Sequence, residues 1–366
     1  MKTKRDPVPD CIRGIGILLM VMGHSGFAGS DWIYLFHMAL FFILSGYLYR
    51  SANTENPAAL GRYFLRKIKT LWLPFVAANT FFTVCNNLFL RVGILTADTR
   101  LLELPGNLVH APVTLKDVVG RTLHWCLFDG GTQLGGALWF VQALFQLSLL
   151  YALCEFLLRH LLPKVDPLWP QAAIALLLLG VGSATRGSLG VWSLHIVASS
   201  YCLYWLGAAL RRLGTPVQTP MGRCAVWVGC FAALAVLGRF GSVGLAGNQY
   251  PGPLFLLAAS LCGWGLVYET ARFAVQCAPL RRVLCYMGQH SMAVAALHFL
   301  AFKAVTAVQL ALTGGERYLL AAFPVYHTEG LWWLAYTAAG VALPLAAAAL
   351  WQLVRTKLAA RLTQKS

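Results

Sequence analysis

Apolar residues in this chain come in long runs, with short polar, Gly- or Pro-bearing stretches between them. Runs of this length, without strand-like alternation, read as helices buried in an apolar medium. The pattern predicts helices at 11–28, 32–50, 71–95, 137–158, 170–184, 193–211, 223–240, 252–271, 288–312 and 331–354. The shortest is QAAIALLLLGVGSAT, at 170–184. The expected fold is an all-α membrane protein, a bundle of about ten transmembrane helices at about 20 residues per span. Residues 1–366 are read as a single integral-membrane domain, since neither an internal repeat nor a separate soluble stretch interrupts the runs.

Composition agrees. Hydrophobic residues make up 58% and charged residues 11%, with a mean hydropathy of +0.64, too apolar for a surface that water must wet. The net charge of +16 follows the topology. With the N-terminus inside, twenty Lys and Arg fall on inner segments and seven on outer ones, which predicts cytoplasmic termini at both ends. Dispersed in this way the charge calls for no nucleic acid. No small-residue cleavage site follows the first run, so it is expected to be a retained helix. Ten scattered cysteines without CxxC pairs read as small core hydrophobes, not as disulfides or a zinc site. A P-loop and a strand-borne GxGxxG are both missing, so no tightly bound nucleotide cofactor is expected. The long outer stretch 96–136, rich in Gly and Pro, is either a cover for a site or a plain connector.

The ionisable residues inside the first two runs change the picture. Arg13 and His24 lie in the first run and His37 in the second. Charged or titratable groups at membrane depth are costly and usually face a protein interior where they do chemistry. Eleven residues are close to three helical turns, so Arg13 and His24 share one face, roughly 16 Å apart along the axis. Asp10 stands three residues before Arg13, within ion-pairing reach. A hairpin turning near residue 30 sets His24 level with His37, and His298 lies about ten residues into its own run, roughly 15 Å deep. Ser291 is available as the N-cap of that helix. The three imidazoles either converge or serve separate packing contacts. No carboxylate or cysteine stands beside them at ligand spacing, which argues against a metal.

Arg13-x10-His24, followed by FHMALFFILSGYL (Phe36 to Leu48), resembles the first hairpin of the acyltransferase-3 family of integral-membrane O-acyltransferases. RYFLRKIKTLWLPF (Arg62 to Phe75), ALWFVQALF (Ala137 to Phe145) and MGQHSMAVAALHFL (Met287 to Leu300) follow in the family's order. Ala39 stands where proline is common and Met292 where leucine is common; both are apolar and leave the chemistry untouched. The resemblance implies a cytoplasmic acyl-CoA donor, acetyl-CoA first, used as co-substrate. The acceptor it implies is a hydroxyl of a cell-surface glycan or glycolipid, and the related subgroup acetylates sugars of surface polysaccharides. The basic inner loops and the lack of targeting signals suit a bacterial inner membrane, with the chain in contact with lipid.

The residues fit such a transfer. A hydroxyl needs a base, and His24 is the natural one, because imidazole titrates near neutral pH. The guanidinium of Arg13 suits a phosphate or thioester oxygen at the cytoplasmic mouth. Arg66, Lys67 and Lys69 are candidates for the phosphates of coenzyme A, or ordinary inner-loop cations. Ser45, next to Gly46, is either a helix-packing point or, less favoured, a covalent acyl carrier. Trp139 belongs to an interfacial aromatic belt or stacks on a sugar ring. The rival reading is a secondary transporter with a proton-relay histidine cluster, against which stands the lack of inverted repeats and unwound helix pairs. A sensor or structural subunit leaves the cost of burying Arg13 and His24 unexplained.

Overall fold

The computed structural model describes residues 6–185, 191–214 and 217–363. Lys2, Lys4, Arg5, Arg186 and Lys365 of the basic residues counted above lie outside the described residues. Among the described residues the chain is helical with no strand. It opens with α1 (Val8–His24), a short α2 (Ser30–Tyr34) and α3 (His37–Tyr47). Next come α4 (Pro57–Lys67), α5 (Leu73–Val84), α6 (Asn86–Val92) and α7 (Leu115–Cys126). The long helices α8 (Trp139–Leu161), α9 (Leu168–Ala184), α10 (Leu194–Leu213), α11 (Pro220–Leu237) and α12 (Pro253–Ala274) follow. The chain ends with α13 (Ala278–Gln289), α14 (Ser291–Thr313) and α15 (Trp332–Thr363).

Among the described residues five helices are long and apolar enough to cross a membrane: Gly136–Leu161, Pro220–Leu237, Pro253–Ala274, Ser291–Thr313 and Trp332–Lys357. Pro57–Val84 with Asn86–Val92, bent by 50°, adds a sixth if counted as one span. Several expected runs are shorter or interrupted. The run 32–50 breaks at Phe36 (φ −145, ψ −19), which leaves α3 with 11 residues. Phe36 seats its side chain on Gly263 of α12, where a Cβ would collide with it, and this contact turns α3 into the bundle. The third helix starts at Pro57, not near 71. Asn56 caps it by accepting from the Ala59 N–H, and proline at the first helical position costs no hydrogen bond. Arg62, Arg66, Lys67 and Lys69 are thereby helical. Between α4 and α5 the helix widens into a π turn at Ile68–Trp72. Pro74 has no N–H for the carbonyl one turn back, and the wider turn absorbs that loss.

Ser291 does not cap α14. His290 occupies the N-cap position, without a side-chain cap bond. The His290 carbonyl accepts from the Ala293 and Val294 amides, so α13 runs into α14 with little need of a hydroxyl. The stretch 96–136 is an ordered wall. It holds α7, opened by a capping box of Thr114 and Asp117, and Asn86 and Asn87 tie its backbone at Ala111 and Val113.

Helix α1 is the centre of the bundle, touching α3, α12, α13, α14 and α15. Two crossings are set by glycine, as in membrane helices that need close backbone approach. Gly46 on α3 meets the Tyr204 carbonyl of α10 and Gly207 meets that of Ile43; Gly14 and Gly288 bring α1 onto α13 in the same way. The apolar windows of α11 and α15 are only 11% and 17% buried, which puts those helices on the periphery.

Candidate active site

Helix α1 carries polar chemistry at both ends. Near its start Asp10 is buried, ion-pairs with Arg13 (Nη1 to Oδ1, 3.5 Å) and accepts from Gln289 Nε2 at 3.1 Å. Arg13 lines a cavity of about 290 Å³ with Ser45, Arg50, Arg66, Lys67 and Tyr204. Three segments thus bring their cations together (α1, the stretch after α3, and α4), and α10 adds Tyr204 to the wall. Lys69 is exposed on the π turn and lies outside this cavity. Ser45 stands among these cations at the Arg13 end, remote from the histidine cluster at the other end of α1.

His24 is the last residue of α1. Tyr34 Oη lies 3.1 Å from His24 Nδ1 and 3.3 Å from the Gly23 carbonyl. The one phenol proton goes either to that carbonyl or to Nδ1; in the first case Nδ1 donates to Oη and Nε2 of the neutral ring carries the free lone pair. The His298 ring stacks on His24 with centroids 5.6 Å apart and planes at 24°, and Phe299 lies 5.0 Å away. His298 is fully buried, and its Nδ1 donates to the carbonyls of Val294 and Ala295 at 3.0 and 3.1 Å. A carbonyl can only accept, so the His298 proton is on Nδ1. Its Nε2 is buried with no partner among the described residues. His37 follows the same rule, Nδ1 donating to the Ile33 carbonyl at 3.0 Å, and Tyr34 joins its ring to the cluster at 4.9 Å. All three histidines therefore meet around Tyr34 and Phe299, each with Nδ1 held and Nε2 free of that bond.

Tyr34 and Lys303 were not singled out from the sequence. Tyr34 sits three residues before His37, one helical turn away, and that spacing is the only signal it gave. Lys303 is buried on α14, and its Nζ donates to the carbonyls of Ala321 (3.2 Å) and Ala322 (2.5 Å). This clamp holds the segment bearing Phe323, whose ring packs 4.5 Å from Phe299.

Near the cluster opens a cavity of about 720 Å³, with Trp139, Gln142 and Asp129 in its wall. Gly136 in the same wall places its Cβ position 3.6 Å from the Phe299 ring, which in turn packs 5.0 Å from His24. The wall is rigidly tied. Asn79 Oδ1 accepts from both the amide and the hydroxyl of Thr132 at 2.9 Å, and Gln142 Nε2 donates to the Phe128 carbonyl at 3.2 Å. Phe128, Trp192 and Ser193 in this wall all have positive φ, a costly conformation for non-glycine residues that concentrates at functional sites. Among the described residues no group of three His, Cys, Asp or Glu is placed to hold a metal ion.

The bundle thus carries a cationic cavity at one end of its central helix and an imidazole cluster at the other. An acyltransferase-domain family model matches residues 7–351, and the chain belongs to the acyltransferase-3 family. It is a multi-pass membrane acyltransferase. Comparison with curated proteins and comparison with solved structures each gave no match.

Proposed function

We propose that this enzyme moves an acetyl group from acyl-CoA to a hydroxyl of a cell-surface glycan or its lipid-linked precursor, with His24 as general base. The donor enters from the cytoplasm in a bacterial inner membrane, both termini on that side. Its phosphates lie against Arg13, Arg66 and Lys67, and its pantetheine arm runs along α1 for roughly 16 Å to reach His24. The acceptor ring occupies the cavity of Trp139, Gln142 and Asp129, where an indole face and polar groups suit a sugar.

In the reaction His24 Nε2 takes the proton of the acceptor hydroxyl as its oxygen attacks the thioester carbonyl. The tetrahedral intermediate collapses with cleavage of the C–S bond. The proton on His24 passes to the departing thiolate, giving the ester and free coenzyme A. The observation that carries this reading is the Tyr34–His24 contact at 3.1 Å, because a phenol oxygen that accepts from Nδ1 leaves Nε2 for the base.

Proteoliposomes supplied with labelled acetyl-CoA and a glycan acceptor test it. His24→Ala is expected to insert normally and to lose transfer by about 10²- to 10⁴-fold, the usual worth of a general base. Normal transfer by His24→Ala refutes the assignment. Arg13→Lys keeps the charge but not the planar fork, and a raised KM for the donor is expected.

A further inference from the structure

The Arg13 cavity has a neighbour. A second chamber of about 240 Å³ is lined by Arg50, Arg211, Arg212, Glu155 and Tyr151, and it shares Tyr49 and Arg50 with the first. Tyr49 is buried between the two. Several charges here are already balanced: Arg13 by Asp10, Arg212 by Asp166, and Glu155 by Arg159 at 3.0 Å. Arg50, Arg66, Lys67 and Arg211 have no carboxylate partner among the described residues. Arg66 is aimed by Asn53 Oδ1 (2.9 Å), and Arg211 by the Tyr47 carbonyl (3.0 Å).

A positive-inside bias puts cations at the ends of helices but gives no reason for cations from four segments to converge on two chambers with one wall. Coenzyme A gives one. It carries a diphosphate and, a ribose away, a 3′-phosphate monoester, roughly −4 in all near neutral pH. Two anionic centres of unequal charge, linked by a short rigid sugar, match two cationic chambers joined at Arg50. Guanidinium forks are the side chains best fitted to a terminal phosphate.

Resting on the donor reading above, we propose that the chamber of Arg50, Arg211 and Arg212 is the subsite for the 3′-phosphate of coenzyme A. The diphosphate lies in the neighbouring chamber at Arg66 and Lys67. The subsite lets the enzyme tell acetyl-CoA from donors that present pantetheine without the 3′-phosphate.

The test uses the full chain in proteoliposomes with acetyl-CoA and acetyl-3′-dephospho-CoA as alternative donors, compared by kcat/KM. Wild type is expected to favour acetyl-CoA by about ten- to a hundredfold, the range for a charged hydrogen-bonded contact. The Arg211→Gln, Arg212→Gln double variant loses that preference through a raised KM for acetyl-CoA. The ratio is internal to each preparation, so a smaller folded fraction does not move it. Equal use of both donors by wild type, or a preference retained by the double variant, overturns the subsite.

Calorimetric binding of adenosine 3′,5′-bisphosphate against 5′-AMP separates this inference from the donor reading. If wild type transfers from neither donor, the donor reading fails, and binding decides the subsite. Preference for the bisphosphate in wild type and not in the double variant keeps it, and lack of preference removes it.

Discussion

In the proposed reaction, Tyr34 sets which nitrogen of His24 takes the proton. Its hydroxyl lies 3.1 Å from Nδ1 and 3.3 Å from the Gly23 carbonyl, and where its proton goes to that carbonyl the ring presents Nε2 as its basic nitrogen. Tyr34→Phe keeps the ring contacts with His24 and His37 and removes only that hydroxyl. We expect kcat to fall about tenfold, the worth of one hydrogen bond to a neutral group, with KM for the donor unchanged. A fall in KM-dependent binding with kcat intact would contradict the positioning role. At this scale the sequence was informative where a side chain was out of place in an apolar run: Arg13, His24, His37 and His298 stand out for that reason. Tyr34 does not, because tyrosine is common at membrane interfaces and its bond to His24 exists only once the chain breaks at Phe36.

Among the helices, the α3–α10 crossing fixes where the second run of the hairpin can lie. Gly46 sits on the Tyr204 carbonyl, and Tyr204 in turn hydrogen-bonds Tyr63 of α4 at 3.1 Å and lines the Arg13 cavity. Gly46→Leu forces the two backbones apart and is expected to cost about 3 kcal/mol. A clearly lowered thermal midpoint in detergent checks this, and an unchanged midpoint contradicts the packing account. The helix pattern located most elements within a few residues because long apolar runs leave little choice. Besides α7 and α13, which it did not predict, it missed three features decided by tertiary contact or backbone chemistry. These are the break at Phe36, dictated by Gly263; the start at Pro57, set by an Asn cap upstream of the apolar run; and the π turn before Pro74. The ordering of 96–136 escaped it too, since bonds from Asn86 and Asn87 to a distant backbone leave no periodic trace.

For the whole molecule, the arrangement is a division of labour along α1. Cations gather at the Arg13 end, imidazoles at the His24 end, and the two cavities open beside them, with α11 and α15 turned outward as the lipid-facing layer. A secondary transporter with histidine relays needs a path through the midplane, whereas membership of the acyltransferase-3 family makes this chain a transferase. Acyl transfer to a glycan leaves a durable mark, the O-acetyl group. The decisive measurement is therefore the O-acetyl content of surface polysaccharide, read by NMR, in cells carrying the wild-type protein, His24→Ala at equal abundance, or no protein. The account predicts acetyl groups with the wild type alone, at a sugar position identified by its shifted ring protons. Equal acetylation in the His24→Ala and wild-type cells would contradict it.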